Sequence, residues 1–224
     1  MAHAWRACLP ARVSRVRVPP PPLMDKIKIL VEGYAHSGKG GIYIASCTTI
    51  LIEHKGKKIL VDPGANPDKL SRALAKEKLA PGDINIVFLS HYHPDHFLNI
   101  RLFPKHSIYD GTMIWKSDEE LQFSGKLPGT DLEIIPTPGH APEQASIVVH
   151  TKQYGVVCVA QDVFWWEDGK QQSQTKEQLM ALVDPFAIDG DALRLSREKV
   201  LSLADWIIPG HGEMFQNPLR RMKL

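Results

Sequence analysis

Three cysteines, Cys8, Cys47 and Cys158, are too few and too scattered to frame a disulfide scaffold. Their number is odd and no Cys-x-x-Cys pair occurs, so a reducing, cytoplasmic setting is expected. Cys47 and Cys158 stand in apolar, strand-like runs and read as small core residues rather than nucleophiles. No uninterrupted apolar run approaches the roughly 18 residues of a membrane-spanning helix, and no membrane partner is expected. Gly-x-Ser-x-Gly is also missing, which argues against a nucleophile-elbow serine hydrolase. Nor is there a general basic field. The formal charge of +2 arises in residues 1–23, where Arg6, Arg12, Arg15 and Arg17 meet no acid. The remaining residues carry slightly more acids than bases, which does not recruit nucleic acid by charge alone.

A chain of 224 residues suits one domain with a substantial core. The first 23 residues end in Pro19-Pro20-Pro21-Pro22 and differ in composition from the remainder of the chain. They read as a disordered leader or a non-native start, an organellar transit peptide being the alternative, with residues 24–224 as the folded domain. Ile27 to Val31 begins the strand-like sequence. Ile44–His54 and Lys57–Asp62 read as a hairpin turned at Lys55-Gly56. Asn66-Pro67 offers an N-cap and first turn for a helix to Ala80. Strands are expected at Ile84–Leu89, Ile108-Tyr109, Met113–Trp115, Leu132–Pro136, Ala145–His150, Tyr154–Ala160 and Trp206–Ile208. Helices are expected over Thr175–Val183 and Asp191–Leu203. Periodicity alone supports one α/β or α+β domain.

Gly33-Tyr34-Ala35-His36-Ser37-Gly38-Lys39-Gly40 is one residue short of a phosphate-binding loop. Gly40 stands where that loop needs Ser or Thr, and β-rich sequence comes next where a helix is required, so nucleotide binding is rejected. A plain hairpin loop or a flap, with His36 or Lys39 touching an anionic substrate, are the two readings left.

The chemistry concentrates in Ser90-His91-Tyr92-His93-Pro94-Asp95-His96, directly after the apolar run Ile84–Leu89. A strand delivering three imidazoles and a carboxylate at its end can wrap them around an ion; such donors suit zinc, with iron or manganese as alternatives. The bland reading is a polar surface turn, against which the dense spacing weighs. Later strands deliver His140, Asp162 and His211 in the same way.

His-x-His-x-Asp-His, with those three later residues in matching contexts, resembles the metallo-β-lactamase superfamily. The resemblance implies an αββα sandwich, two mixed sheets with helices outside. It also implies two zinc ions per chain: His91, His93 and His140 on one, Asp95, His96 and His211 on the other, and Asp162 between them. Asp95 and Asp162 are then the catalytic carboxylates, Asp95 with a further role in proton transfer, and Asp62 supports the metal loop. A metal-bridging hydroxide is the implied nucleophile. His3, His36, His54, His106 and His150 have no motif partner and are expected on the surface. Gly33-Tyr34-Ala35, Ile59–Asp62, Ala80–Asp83, Leu102–Pro104, Asp162–Phe164 and Pro209–Gly212 are similar to the metallo-β-lactamase-domain-containing-1 group of small stand-alone members. That similarity implies an endoribonuclease acting on phosphodiesters of single-stranded RNA; the alternative is a thioester, lactone or other small acyl substrate, with a β-lactamase less favoured. A homodimer is left open. Departures are Phe97-Leu98 in place of Ile-Gly, and Gln161 in place of a glycine before Asp162. Trp165 and Trp166 are either core aromatics or a flat wall on which a base or an acyl tail lies.

Overall fold

The central strands carry runs of consecutive apolar residues, such as Ile50–Ile52, Ile59–Val61, Ile86–Phe88 and Val156–Ala160, because both of their faces are covered. Ile50, Ile52, Ile59, Val61, Ile86 and Phe88 enter one buried cluster, while the intervening Leu51, Leu60 and Val87 enter another. The same alternation sends Ile147, Val149, Val157 and Val159 one way, and Val148 and Cys158 the other. A period of two with apolar residues on both faces requires a layer above and a layer below.

A computed structural model describes residues 25–171 and 175–220. Its strands run β1 (Lys26–Val31), β2 (Tyr34–Ser37), β3 (Tyr43–Ser46), β4 (Thr49–His54), β5 (Lys57–Val61), β6 (Ile86–Phe88), β7 (Ile108–Tyr109), β8 (Met113–Lys116) and β9 (Glu119–Gln122), then β10 (Glu133–Pro136), β11 (Ala145–Thr151), β12 (Gly155–Gln161), β13 (Trp206–Pro209) and β14 (Phe215–Gln216). One sheet has the order β1-β4-β5-β6-β7-β8-β9; the other takes β10 to β14 in sequence; β2 and β3 form a separate hairpin. The pairs β5–β6, β6–β7 and β12–β13 are parallel, so both large sheets are mixed.

Helices cover the outer faces. On the first sheet, α1 (Pro67–Lys76) buries Leu70, Ala73 and Leu74; Asn66 caps it by accepting Lys69 N at 3.0 Å. The short α2 (Pro94–Phe97) lies at the end of the motif. On the second sheet, α3 (Lys176–Met180) and α4 (Gly190–Leu203) bury Leu179, Leu193, Val200 and Leu201. The result is the expected αββα sandwich. No helix of the described residues is long and apolar enough to cross a membrane.

Several local expectations need correction. The single arm expected over Ile44–His54 is two strands, β3 and β4 in different sheets, and between them Thr48 donates N and Oγ1 to Gly210 O at 2.6 and 3.0 Å. The helix expected to Val183 ends at Met180. Strands β9 and β14 were not expected; β9 is exposed throughout, without the apolar alternation that marks a strand. His54 is buried, not at the surface: its Nδ1 meets Asp25 at 2.7 Å and its Nε2 meets Asp131 at 2.6 Å. The expected leader, with Cys8 and His3, lies outside the described residues. Cys47 and Cys158 are free and buried, as expected.

Phe88 is wholly buried between the sheets, one strand-step from the motif. Phe88→Ala should remove about 3–5 kcal/mol of stability, measured as a lower urea midpoint at unchanged slope. A change within about 0.5 kcal/mol, the range of surface substitutions, would contradict this packing.

Candidate metal centre

Two strands end in residues with the left-handed backbone, and both ends lie at the site. Asp62 has φ 48° after β5, and Gln161 has φ 49° at the end of β12. Such values are uncommon outside glycine and turn the chain sharply. Gln161 stands where the resemblance expects glycine; its buried amide offsets the strain by donating to Thr48 O at 3.0 Å. The turn aims Asp162 into the space between the strand ends.

Asp62 carries the motif loop. Its Oδ1 accepts Ser90 N at 2.7 Å, and its Oδ2 accepts Ser90 Oγ at 2.6 Å and His96 Nδ1 at 2.8 Å. An acceptor-only carboxylate on Nδ1 leaves His96 Nε2 facing the centre. Ser90 Oγ also lies 2.9 Å from His91 Nδ1, which turns His91 Nε2 the same way. The supporting role expected of Asp62 is therefore visible in its contacts.

All seven expected donors converge. His91, His93, His140 and Asp162 form one group, and Asp95, His96 and His211 form another; within each group the donor atoms lie within 4.8 Å of one another. Asp162 reaches both: Oδ2 is 3.1 Å from His140 Nε2 and 4.0 Å from His91 Nε2, and Oδ1 is 3.3 Å from His96 Nε2. His211 Nε2 is 3.1 Å from Asp95 Oδ2 and 3.9 Å from Asp162 Oδ2. His93 presents Nδ1, 2.9 Å from His140 Nε2.

The cluster fits divalent metal on its own chemistry. His91 Nε2, His96 Nε2 and Asp162 Oδ1 are buried with no hydrogen-bond partner in the protein, an expensive arrangement unless a cation satisfies them. Burial alone would raise the Asp162 carboxyl, but the imidazoles of His96, His140 and His211 outweigh it and hold it well below its ordinary range. Burial holds the His91 imidazole well below its ordinary value, which leaves its lone pair free. Burial also opposes charge on His140, yet hydrogen bonds with Asp162 and Asp184 prevail and push it up to about 9. Carboxylates thus draw positive charge to this point. Cys47 lies beside Asp62 and His96, but burial pushes its thiol up to about 12. A neutral thiol near an already engaged carboxylate is packing, not a donor.

Sequence reasoning missed three contributors. Asp184 Oδ2 lies 2.7 Å from His140 Nδ1. Tyr92, inside the motif, is tied by its hydroxyl to the buried Asp110, which also accepts Trp115 Nε1 at 3.1 Å and Met113 N at 2.6 Å. Gly210 is the third: a β-carbon there would fall 1.6 Å from Asp162 Oδ1. No motif signals Asp184 or Asp110, Tyr92 has no donor chemistry to single it out within the motif, and only the Pro209–Gly212 match could have drawn notice to Gly210.

A cleft of about 440 Å³ opens over the donors. Tyr43 and Ala45 of the β2–β3 hairpin, Leu98, Trp165 and Phe186 wall it. Trp165 borders the cleft but is largely buried, 8% exposed, its ring 5.6 Å from Phe186 and 6.0 Å from His211. Trp166 packs on Phe215 in the core at 5.6 Å. The hairpin reading of the glycine-rich segment holds, but neither His36 nor Lys39 lines the cleft.

Comparison with known proteins agrees with this geometry. The family profile described as the metallo-beta-lactamase superfamily matches residues 43–211, a span that holds every donor. The frog Xenopus laevis has a metallo-beta-lactamase domain-containing protein 1 that is 30% identical over 199 residues, covering 85% of this chain and 81% of the relative. The protein of that name in Homo sapiens is 36% identical over 172 residues, covering 70% of this chain and 59% of the relative. A Thermotoga maritima crystal structure, provisionally assigned as a metallo-beta-lactamase, superposes with TM-score 0.63 at 18% identity, covering 86% of this chain and 99% of that one; at that identity the likeness concerns the fold.

Gly210→Ala should displace Asp162 and lower divalent-metal affinity by about 10–100-fold, the range for disturbed support of a metal ligand. Far-UV circular dichroism should stay near that of the parent chain. Unaltered metal affinity would contradict the close approach of Gly210 to Asp162.

Proposed function

The chain belongs to the metallo-β-lactamase superfamily, and from that premise we propose that it is a metal-dependent hydrolase of ester, thioester or lactone substrates carrying an apolar acyl group. The wall of the cleft carries this reading. Tyr43, Leu98 and Phe186 remain 45%, 44% and 52% exposed around the mouth, available to a ligand. Among the described residues lining it there is no lysine or arginine. Phosphate groups are ordinarily gripped by such side chains, whereas an acyl chain gains from apolar surface at roughly 25 cal/mol per Å².

His91, His93, His140, Asp95, His96, Asp162 and His211 would hold two divalent ions, zinc first. When bound, such ions supply water activation near neutral pH and stabilise charge on the attacked oxygen. The protein's own residues do the rest. Asp162 spans the two donor groups and fixes their separation. Asp95 is the most accessible of the site carboxylates, with 24% of its side chain exposed against 6% for Asp162. Its Oδ2 can therefore carry a proton between the cleft and solvent, while His211 at 3.1 Å holds it in place. The side chains of Trp165, Phe186 and Leu98 exclude water from the acyl side.

A single-stranded phosphodiester is the second reading, favoured by the placement of Trp165 in the wall. Stacking of one base there is worth roughly 1–3 kcal/mol.

Assaying acyl esters and thioesters of graded chain length beside single-stranded RNA, on one preparation, separates the two. Turnover of medium-chain acyl substrates is expected, with Leu98→Ala and Phe186→Ala raising KM about tenfold for long chains and little for short ones. His93→Ala should abolish turnover and serves as the control for contaminating enzymes. RNA cleavage that disappears in His93→Ala, with acyl substrates untouched, would replace this reading by the second.

A further inference from the structure

Outside the seven donors lies a buried polar unit that ties three loops together. The Asp184 and His140 side chains are each 1% exposed, and Oδ2 of the first is 2.7 Å from Nδ1 of the second. The other carboxylate oxygen, Oδ1, accepts Phe186 N at 3.0 Å. Arg197, buried on α4, donates Nε to Val163 O at 3.1 Å and Nη1 to Leu182 O at 2.6 Å. It thereby joins the residue after Asp162 to the loop that carries Asp184. The His140 loop is gripped from the same side. Ile188 N and Asp189 N both donate to Gly139 O at 2.9 Å, and Ser196 Oγ donates to Pro138 O at 2.7 Å. Gly139, at φ 133°, lies so close to α4 that a β-carbon would fall 2.2 Å from Leu193 N.

We propose that Asp184 is a positioning residue that fixes His140 for metal binding and couples that binding to the apolar cleft wall. The inference rests on the reading of His140 as a metal ligand. A carboxylate only accepts hydrogen bonds, so the His140 proton sits on Nδ1 and the Nε2 lone pair faces the cluster. The same carboxylate holds the backbone of Phe186, whose ring rests against Trp165. A displacement of His140 therefore passes through a single side chain to the surface that receives the substrate. Arg197 holds the Asp184 loop against the Asp162 loop, so this support moves as one piece.

Cobalt(II) titration of the full chain, monitored by visible absorption and tryptophan fluorescence, tests the proposal. The unsubstituted chain should bind cobalt with a shift in tryptophan emission. Asp184→Asn should keep its circular dichroism, weaken the first cobalt step by about 10–100-fold and lose the fluorescence shift. Its amide can turn a donor toward Nδ1 and cannot accept at both contacts. Phe186→Ala, which keeps the backbone N–H, should lose the fluorescence shift while cobalt affinity stays within about twofold of the parent chain's, inside the ~0.5 kcal/mol of an ordinary surface substitution. Coincident titrations for the parent chain and Asp184→Asn would overturn the role of Asp184 while leaving His140 a ligand. Absence of cobalt binding by the parent chain would instead remove the ligand reading itself. Should Asp184→Asn not fold, proton NMR of the zinc-loaded parent chain decides: a slowly exchanging His140 proton on Nδ1 is expected, and a proton on Nε2 would overturn the proposal.

Discussion

Everything near the cleft answers to one electrostatic demand: a buried carboxylate, Asp162, among five imidazoles with nitrogens turned inward. Three of these polar atoms have no partner within the protein. A folded chain does not ordinarily tolerate that in buried polar atoms, so a cation is the natural counterpart. The rest of the architecture is arranged to hold those atoms still. Asp62 and Ser90 turn His96 and His91, Asp184 turns His140, and Tyr34 O lies 3.1 Å from His211 Nδ1. The sandwich supplies rigidity beneath, since strands packed on both faces cannot shift one end without disturbing two layers.

That arrangement explains why the donors lie at strand ends and not within the core. Inside a sheet a charged side chain would displace packed apolar volume. At the ends, left-handed residues such as Asp62 and Gln161 redirect the chain, and glycines such as Gly210 let two segments approach to contact distance. The edge of the sandwich can thus be polar while its interior stays dry. Part of the apolar wall, Tyr43 and Ala45, comes from the β2–β3 hairpin, which contributes no donor, so substrate preference can vary there without disturbing the metal centre.

Much of this was legible in the sequence. The dense motif after an apolar run, and the later strand-then-donor pattern at His140, Asp162 and His211, located the site. The sandwich came from the resemblance, since periodicity alone supported no more than one α/β or α+β domain; that Ile50 and Ile52 face one layer and Leu51 the other is seen only in the fold. Other parts were invisible for physical reasons. His54 finds its partners 29 and 77 positions away, Asp25 and Asp131, and local pattern carries no trace of such pairs. Asp184 sits in a short loop with no motif, and its role arises only when that loop is folded back onto His140. Glu119–Gln122 pairs by backbone alone, so its exposed, charged sequence gave no sign of a strand. The near-neutral charge weakened the nucleic-acid expectation, but only the placement of Tyr43, Leu98 and Phe186 showed an apolar mouth.

The central claim, that these residues form a two-metal centre, is tested most directly by elemental analysis of the full chain purified without chelator. Zinc at about two ions per chain is the predicted result, as seven nitrogen and oxygen donors in two groups require. A fully loaded protein that saturates at one ion would contradict the shared role of Asp162, and one that holds none would contradict the metal centre altogether.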